Sequence, residues 1–242
     1  MNIIVSPSTV PTFNIAAEEY LFSRAGKEYL LLYQNDPSVI IGSNQAVLNE
    51  VDPDYCIEHN ILIIRRLSGG GAVYHDSGNL NYAFIHDSTD APLSARFLEP
   101  VINVLKSLGV SAEIGKRKDL WLNGCKISGT ASHVSRNREL HHGTLLYDAN
   151  LEVLQRALTA ENRSLIQKAT ASVPNPVMNI RSYLASEGGE TPETAGFFDL
   201  FTRELVSYFS VNDPTFFRDE EIAEIEELQR SKYTQCSWNY RM

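Results

Sequence analysis

Three consecutive glycines, Gly69-Gly70-Gly71, follow an apolar run, Ile61-Leu62-Ile63-Ile64, that ends in Arg65-Arg66 and Leu67-Ser68. A short apolar run bounded by such a signal reads as a buried strand. Glycine adopts backbone angles closed to other residues and carries no Cβ, so the chain beyond this strand can turn sharply and approach a ligand closely. Successive N–H groups in a turn of this kind converge on oxyanions. Arg66 adds a planar fork of donors that suits phosphate or carboxylate. The spacing is neither G-x-G-x-x-G nor a P-loop, which needs Gly-Lys-Ser/Thr. A flexible loop explains a glycine triplet equally well. Local pattern alone makes 61–86 a hairpin, with Leu80–His86 as the returning strand.

Around this feature the pattern is mixed. Residues 2–5, 29–33, 38–42, 119–122, 126–128 and 142–147 read as strands. Asn123-Gly124 is a strong hairpin signal between two of them. Asn14 is placed to cap a helix through about Ala25, with Glu18 and Glu19 in its first turns. Phe97, Val101, Val104, Leu105 and Leu108 share one helical face over 92–108. After Asp148 the chain turns more helical. Pro192 is placed to open a helix bearing Phe197, Phe198, Phe201, Leu205 and Phe209, and 219–232 forms an acidic amphipathic helix. Strands first and helices last predict an α+β unit.

Charge and cysteine usage remove several function classes. The 242 residues carry a net charge of −9 with no basic tail, which argues against a nucleic-acid binder. The three cysteines, Cys56, Cys125 and Cys236, show no C-x-x-C spacing and fit a reducing compartment. No secretory leader opens the chain, and no stretch reaches the roughly 18 apolar residues of a membrane span. The expectation is a cytoplasmic protein with no membrane and no nucleic-acid partner.

Two further clusters could carry chemistry. In Asn123-Gly124-Cys125-Lys126-Ile127-Ser128-Gly129, Lys126 follows the hairpin turn among small residues, where its ammonium could meet a phosphate or carboxylate; an exposed turn lysine is the plainer reading. Cys125 has no neighbouring histidine in sequence, faces away from Lys126 by strand alternation, and reads as inert. His141 and His142 point to opposite strand faces, so they do not chelate one metal together; one of them facing a pocket as a hydrogen-bond partner is the better expectation.

Arg65–Asp76 with Ser77-Gly78-Asn79-Leu80-Asn81-Tyr82, then Arg117–Leu120 with Lys126–Ala131, then His141–Leu146, resembles the lipoate–protein ligase family in order and spacing. Phe13-Asn14-Ile15-Ala16 with Glu18-Glu19 resembles that family's opening helix. The resemblance implies a mixed β-sheet core flanked by helices, similar to biotin ligases, over residues 1–242. It implies ATP-dependent activation of lipoate to lipoyl-AMP and transfer to a lysine of an acceptor lipoyl domain. Lys126 is then the catalytic residue. Arg66, Gly70, Gly71, Ala72, Val73 and Tyr74 hold the nucleotide part, with Ser68, Asn79, Ser128 and His142 on the pocket wall. Asp119 is a candidate Mg²⁺ ligand, since a hard cation suits carboxylate and phosphate oxygens. The implied partners are apo lipoyl domains of 2-oxoacid dehydrogenase complexes or the glycine cleavage H protein.

The sequence departs from the family at Ser43, at Lys116-Arg117-Lys118-Asp119-Leu120 and over Ser172–Asn179, where arginines or a Gly-Arg-Asn-Asp-Leu run are usual. Many members continue past a Tyr-x-x-x-x-Trp-Asn segment into an accessory domain; here Tyr233–Asn239 is followed only by Tyr240-Arg241-Met242. The expectation is a catalytic domain without that accessory domain, served by a separate accessory protein or transferring a preformed acyl group. The alternatives are a lipoyl or octanoyl transferase, perhaps thiol-dependent, a biotin ligase, and a non-catalytic binding module.

Overall fold

A computed structural model describes residues 1–159, 170–173 and 175–241. Its eleven described strands are β1 (Asn2–Val5), β2 (Tyr29–Gln34), β3 (Ser38–Ile41), β4 (Leu62–Arg65), β5 (Val73–His75), β6 (Asn79–Asp87), β7 (Glu113–Ile114), β8 (Leu120–Leu122), β9 (Cys125–Ser128), β10 (Thr130–Ser135) and β11 (Arg138–Leu146). They form a five-stranded sheet ordered β1-β2-β6-β11-β10 and two three-stranded sheets, β4-β3-β5 and β7-β8-β9. The β1/β2 and β3/β4 pairs are parallel and the other ladders antiparallel, so the sheets are mixed and the class is α+β.

Strand alternation sorts the core. On β2, Leu30 and Leu32 face the helices Leu98–Ser107 and Thr194–Tyr208, packing with Val101, Leu105, Phe197, Phe201 and Leu205. Leu31 and Tyr33 face the opposite way, onto the helix Pro11–Phe22 and onto Ile40 and Ile64 of the small sheet. Val39, Ile41 and Ile63 bury the far side of the small sheet against Val47, Cys56 and Ala157. Strands with both faces covered read as unbroken apolar runs rather than alternating ones. No helix among the described residues is long and apolar enough to cross a membrane.

Several local expectations are corrected. The first helix starts at Pro11 with Val10 as N-cap, not at Asn14, and ends at Phe22. Pro needs no N–H partner at a first helical position. Asn14 is buried inside the helix. Its Nδ2 donates to Ser8 O, Gln34 O and Asn35 Oδ1, so it ties the helix to the β2–β3 turn. Every residue of this helix except Glu19 is buried, because the helix is sandwiched between two sheets.

The segment 61–86 is not a hairpin. β4 pairs with β3 in the small sheet, and β6 belongs to the large one. Between them lies β5, antiparallel to β3 on its other side. The chain from β4 to β5 must therefore step across the end of β3. A Cβ on Gly42, just beyond β3, would lie 2.3 Å from Gly70 O, and Gly70 itself has φ +85°. The crossing requires glycine at Gly42, where the two backbones touch; within the triplet, Gly70 is required by its positive φ and Gly71 by the Ser172 side chain, 2.9 Å from where a Cβ would stand.

The hairpin at Asn123-Gly124 forms as the sequence predicts, with both residues at positive φ (47° and 76°) between β8 and β9. Part of the helical last third, 160–169, and Pro174 of the Ser172–Asn179 segment lie outside the described residues.

Candidate active site

The stepping loop and the β8–β9 hairpin meet over the large sheet and enclose two joined chambers. The smaller, about 340 Å³, lies between the sheets and is lined among others by Tyr33, Arg66, Gly70, Gly71, His75 and His142. The larger, about 530 Å³, is lined by Tyr74, Ser128, Leu146, Leu151, Leu154 and Val177. Ala72, Val73, Lys126, Gly129, Thr144 and Ser172 line both.

Lys126 therefore stands at the junction. Its backbone is pinned by Lys126 N donating to Pro176 O at 2.8 Å and Lys126 O accepting from Met178 N at 3.2 Å. Its Nζ lies 3.5 Å from Asp119 Oδ2, whose carboxylate is almost fully buried. Ser128 is buried on the same face of β9. Cys125 lines neither chamber. Cys56 is buried, its thiol pushed up to about 11 by burial, and Cys236 is exposed.

Arg66 lies under the glycine loop. Its Nη2 donates to Gly69 O (2.6 Å) and Gly71 O (2.7 Å), its Nη1 to Ile40 O and its Nε to Ser68 Oγ. A guanidinium with these partners shapes the loop and sets a fixed positive charge in the chamber wall. Burial lowers its pKa to about 10, so it stays charged at neutral pH. Ala72 N–H, expected to face a ligand, donates instead to Ser172 Oγ at 2.9 Å. Ser172 also accepts from Gln45 Nε2, and its own N–H is held by the Glu50 carboxylate.

A buried relay supports the same wall. Ser68 Oγ accepts from Arg66 Nε and lies 2.7 Å from His142 Nε2. A carboxylate only accepts, so His142 Nδ1 carries a proton and donates it to Glu18 at 2.8 Å; the same carboxylate accepts from Tyr33 OH. His142 faces the small chamber and His141 the opposite side of the sheet. Glu18 is thus no helix-dipole carboxylate but the buried anchor of His142; nothing in its local sequence distinguishes the two roles.

His75 was part of the sequence motif but not among the candidates. Asn14 Nδ2 occupies Asn35 Oδ1, so Asn35 Nδ2 donates to His75 Nδ1 at 2.9 Å and the imidazole proton sits on Nε2. That Nε2 has no partner among the described residues, although His75 is buried and lines the small chamber. Burial, with Arg66 and His142 nearby, lowers its pKa to about 3 and keeps it neutral. It is a donor available to a ligand. Asn79 lines neither chamber; it donates to Asn81 Oδ1, and Asn81 is the wall residue. Arg117, also on the small-chamber wall, adds a third cation to Arg66 and Lys126, one that the candidate set lacked.

The loop's position is testable through Gly42. In Gly42→Ala the new methyl displaces the Gly70 carbonyl, and a misplacement of about 1 Å can cost ~10²-fold in rate. We expect adenylate formation to drop on that order while the far-ultraviolet circular dichroism spectrum is kept; an unchanged rate contradicts the crossing geometry.

The lipoyl protein ligase A/B catalytic domain family matches residues 10–205. Lipoate–protein ligase 1 of Staphylococcus aureus is 38% identical over 236 residues, covering 96% of this chain and 70% of that protein. A Bacillus subtilis lipoate-protein ligase is 36% identical over 239 residues, covering 95% and 70%. Among solved structures, the bi-partite lipoate protein ligase of Thermoplasma acidophilum, described with its E2 lipoyl domain, superposes with TM-score 0.81 at 26% identity, covering 99% of this chain and 96% of that one. A lipoate-protein ligase A bound with ATP gives TM-score 0.81 at 25% identity, covering 99% and 98%. With the match spanning most of its length, the chain belongs to the lipoyl protein ligase A/B catalytic domain family.

Proposed function

We propose that this chain is a lipoate–protein ligase that joins lipoate to ATP as lipoyl-AMP and passes the lipoyl group to a lysine of an apo lipoyl domain. The observation that carries the reading is Lys126 at the junction of two chambers, beside the glycine loop. The lipoate carboxylate attacks the α-phosphorus and pyrophosphate leaves. Two anions must meet, which requires positive charge and fixed donors at the meeting point. Lys126 supplies the charge there, with Arg66 in the wall. The acceptor amine then attacks the carbonyl, loses a proton, and AMP leaves with its charge stabilised by Lys126.

Size and lining support a division of roles between the chambers. The narrower one between the sheets takes the aliphatic tail and dithiolane ring, with His75 Nε2–H and Asn81 in its wall. The larger takes the adenylate, beside Tyr74 and Ser128. Gly70, Gly71, Ala72 and Val73 border the acyl phosphate between them; Ser68, Asn79 and His142 support the wall from behind. Asp119, in the chamber wall beside Lys126, would offer Mg²⁺ one hard carboxylate oxygen, with phosphates and water completing the shell. When bound, Mg²⁺ neutralises phosphate charge.

The acceptor class follows from the Thermoplasma ligase's lipoyl domain, and a cytoplasmic setting from ATP use and three free cysteines among the described residues. The acceptors are the lipoyl domains of 2-oxoacid dehydrogenases or the glycine cleavage H protein. A second reading has the ligase working with a separate accessory protein; the bi-partite Thermoplasma enzyme favours it. Thiol-dependent acyl transfer is disfavoured, because none of the three cysteines lines either chamber.

Incubation of the chain with lipoate, ATP, Mg²⁺ and an apo lipoyl domain, read by acceptor mass, tests the proposal. We expect a lipoyl adduct, absent without ATP. ATP-independent transfer from an acyl carrier, with no ATP-dependent product, sinks the ligase reading. Full turnover with no protein added besides the acceptor sinks the two-protein one.

A further inference from the structure

A second cluster of metal-ligating side chains lies on the far side of the large sheet from the chambers. Glu139 and His141 are two apart on β11 and share a face; His86 on β6 is the direct cross-strand partner of Glu139. One ligating atom from each lies within 4.8 Å of the others. Glu139 and His141 are almost fully buried and His86 is half-exposed. The His141 ring is stacked on Phe97, 4.6 Å between centroids and 9° between planes, which fixes its orientation.

Each of the three is also held by its other atom. His86 Nδ1 lies 2.8 Å from Asp87 O; a carbonyl only accepts, so the proton is on Nδ1 and Nε2 keeps its lone pair. Glu139 Oε1 accepts from Thr89 N at 2.7 Å, leaving Oε2 toward the cluster. His141 Nδ1 lies 2.8 Å from Ser132 Oγ, and its Nε2 lies 2.9 Å from Glu139 Oε2. Metal-binding histidines and carboxylates are oriented in this way, by an outer partner on the non-ligating atom.

We infer that His86, Glu139 and His141 form a zinc-class divalent metal site, with Nε2, Oε2 and Nε2 as ligands and water at the fourth, half-exposed position. Two imidazoles and one carboxylate with an open position suit Zn²⁺ better than Mg²⁺ or Ca²⁺, which prefer oxygen. Binding shifts the His141 tautomer: the single ring proton, now on Nε2 and shared with Glu139, moves to Nδ1, where it faces Ser132 Oγ, and the ring releases none. The metal ties β6 to β11 behind the chamber wall. It takes no part in adenylation, since His142, not His141, faces the chambers.

Chelator-treated protein is titrated with Zn²⁺ by calorimetry and with Co²⁺ by visible absorption. We expect one ion per chain and the intense d–d bands of tetrahedral Co²⁺. His86→Ala, on a half-exposed side chain, should weaken binding by more than the ~10–100-fold that loss of an outer-shell partner costs, and Ser132→Ala by that amount. His59→Ala, an exposed control elsewhere, should change nothing. Absence of tetrahedral Co²⁺ bands in the wild type overturns the site. So does His86→Ala with wild-type affinity, or equal weakening by His59→Ala. Lipoate-dependent pyrophosphate exchange by His86→Ala should match wild type, which separates this inference from the ligase reading.

Discussion

Lys126→Ala will slow lipoate-dependent ATP–pyrophosphate exchange by roughly 10²–10³-fold while the protein stays folded. That is the loss seen when one preorganised group facing developing charge is removed from a dry site, about 2.7–4 kcal/mol. Lys126 is the one residue that borders both chambers with a cationic side chain, as judged from the described lining. Its own removal costs little packing, because its side chain is 25% exposed. Lys126→Arg should not rescue: the planar guanidinium needs more width than the compact ammonium and cannot hold its place 3.5 Å from Asp119 Oδ2. Lipoate binding, read by calorimetry without ATP, should survive in both variants, since the acyl chamber is otherwise intact. Wild-type exchange in Lys126→Ala would remove the catalytic assignment.

Arg65→Ala is the largest expected loss of stability. Arg65 is fully buried, and its side chain reaches five carbonyls in two stretches of backbone, 42–45 and 238–241. Nη1 donates to Gly42 O and Gln45 O at 2.9 and 2.7 Å and to Ser43 O at 3.3 Å; Nη2 donates to Arg241 O and Nε to Trp238 O. Its backbone is clamped as well, with Arg65 N donating to Asn239 Oδ1 and Trp238 Nε1 donating to Arg65 O. Truncation leaves these buried carbonyls without donors, at ~1–3 kcal/mol for each group that water cannot reach. Taking only part of that, we expect a loss of about 3–5 kcal/mol and a fall in Tm of roughly 6–20 °C for a domain of this size. Burial lowers the Arg65 pKa to about 10. The folded value is thus below the unfolded one, so the proton is bound more weakly in the fold; the guanidinium remains charged at neutral pH and the comparison is best made there. A Tm change within a degree or two would mean the clamp contributes nothing.

Much of this site was legible in the sequence because its chemistry is local. The triglycine, the Asn123-Gly124 hairpin that presents Lys126, and the opposite facing of His141 and His142 each follow from a few adjacent residues. The choice of sheet was not legible. Leu30–Leu32 and Ile63-Ile64 are buried on both sides, so their patterns carry no face, and nothing local says that β4 and β6 part company. Long-range partners were also hidden. Glu18 meets His142 across 124 residues and Ser172 meets Ala72 across 100, and each looks in sequence like an ordinary polar residue. Asn14 shows the same limit from the other side: a good helix cap by type, it is needed inside the helix to orient Asn35 and, through it, His75.

The account is tested most directly by a crystal structure with a non-hydrolysable lipoyl-adenylate analogue. It predicts the hydrocarbon tail in the chamber lined by His75 and His142, the adenosine beside Tyr74, and Lys126 Nζ within hydrogen-bonding distance of the linkage that joins them. An analogue bound with Lys126 turned away from that linkage, or lodged outside both chambers, would contradict it.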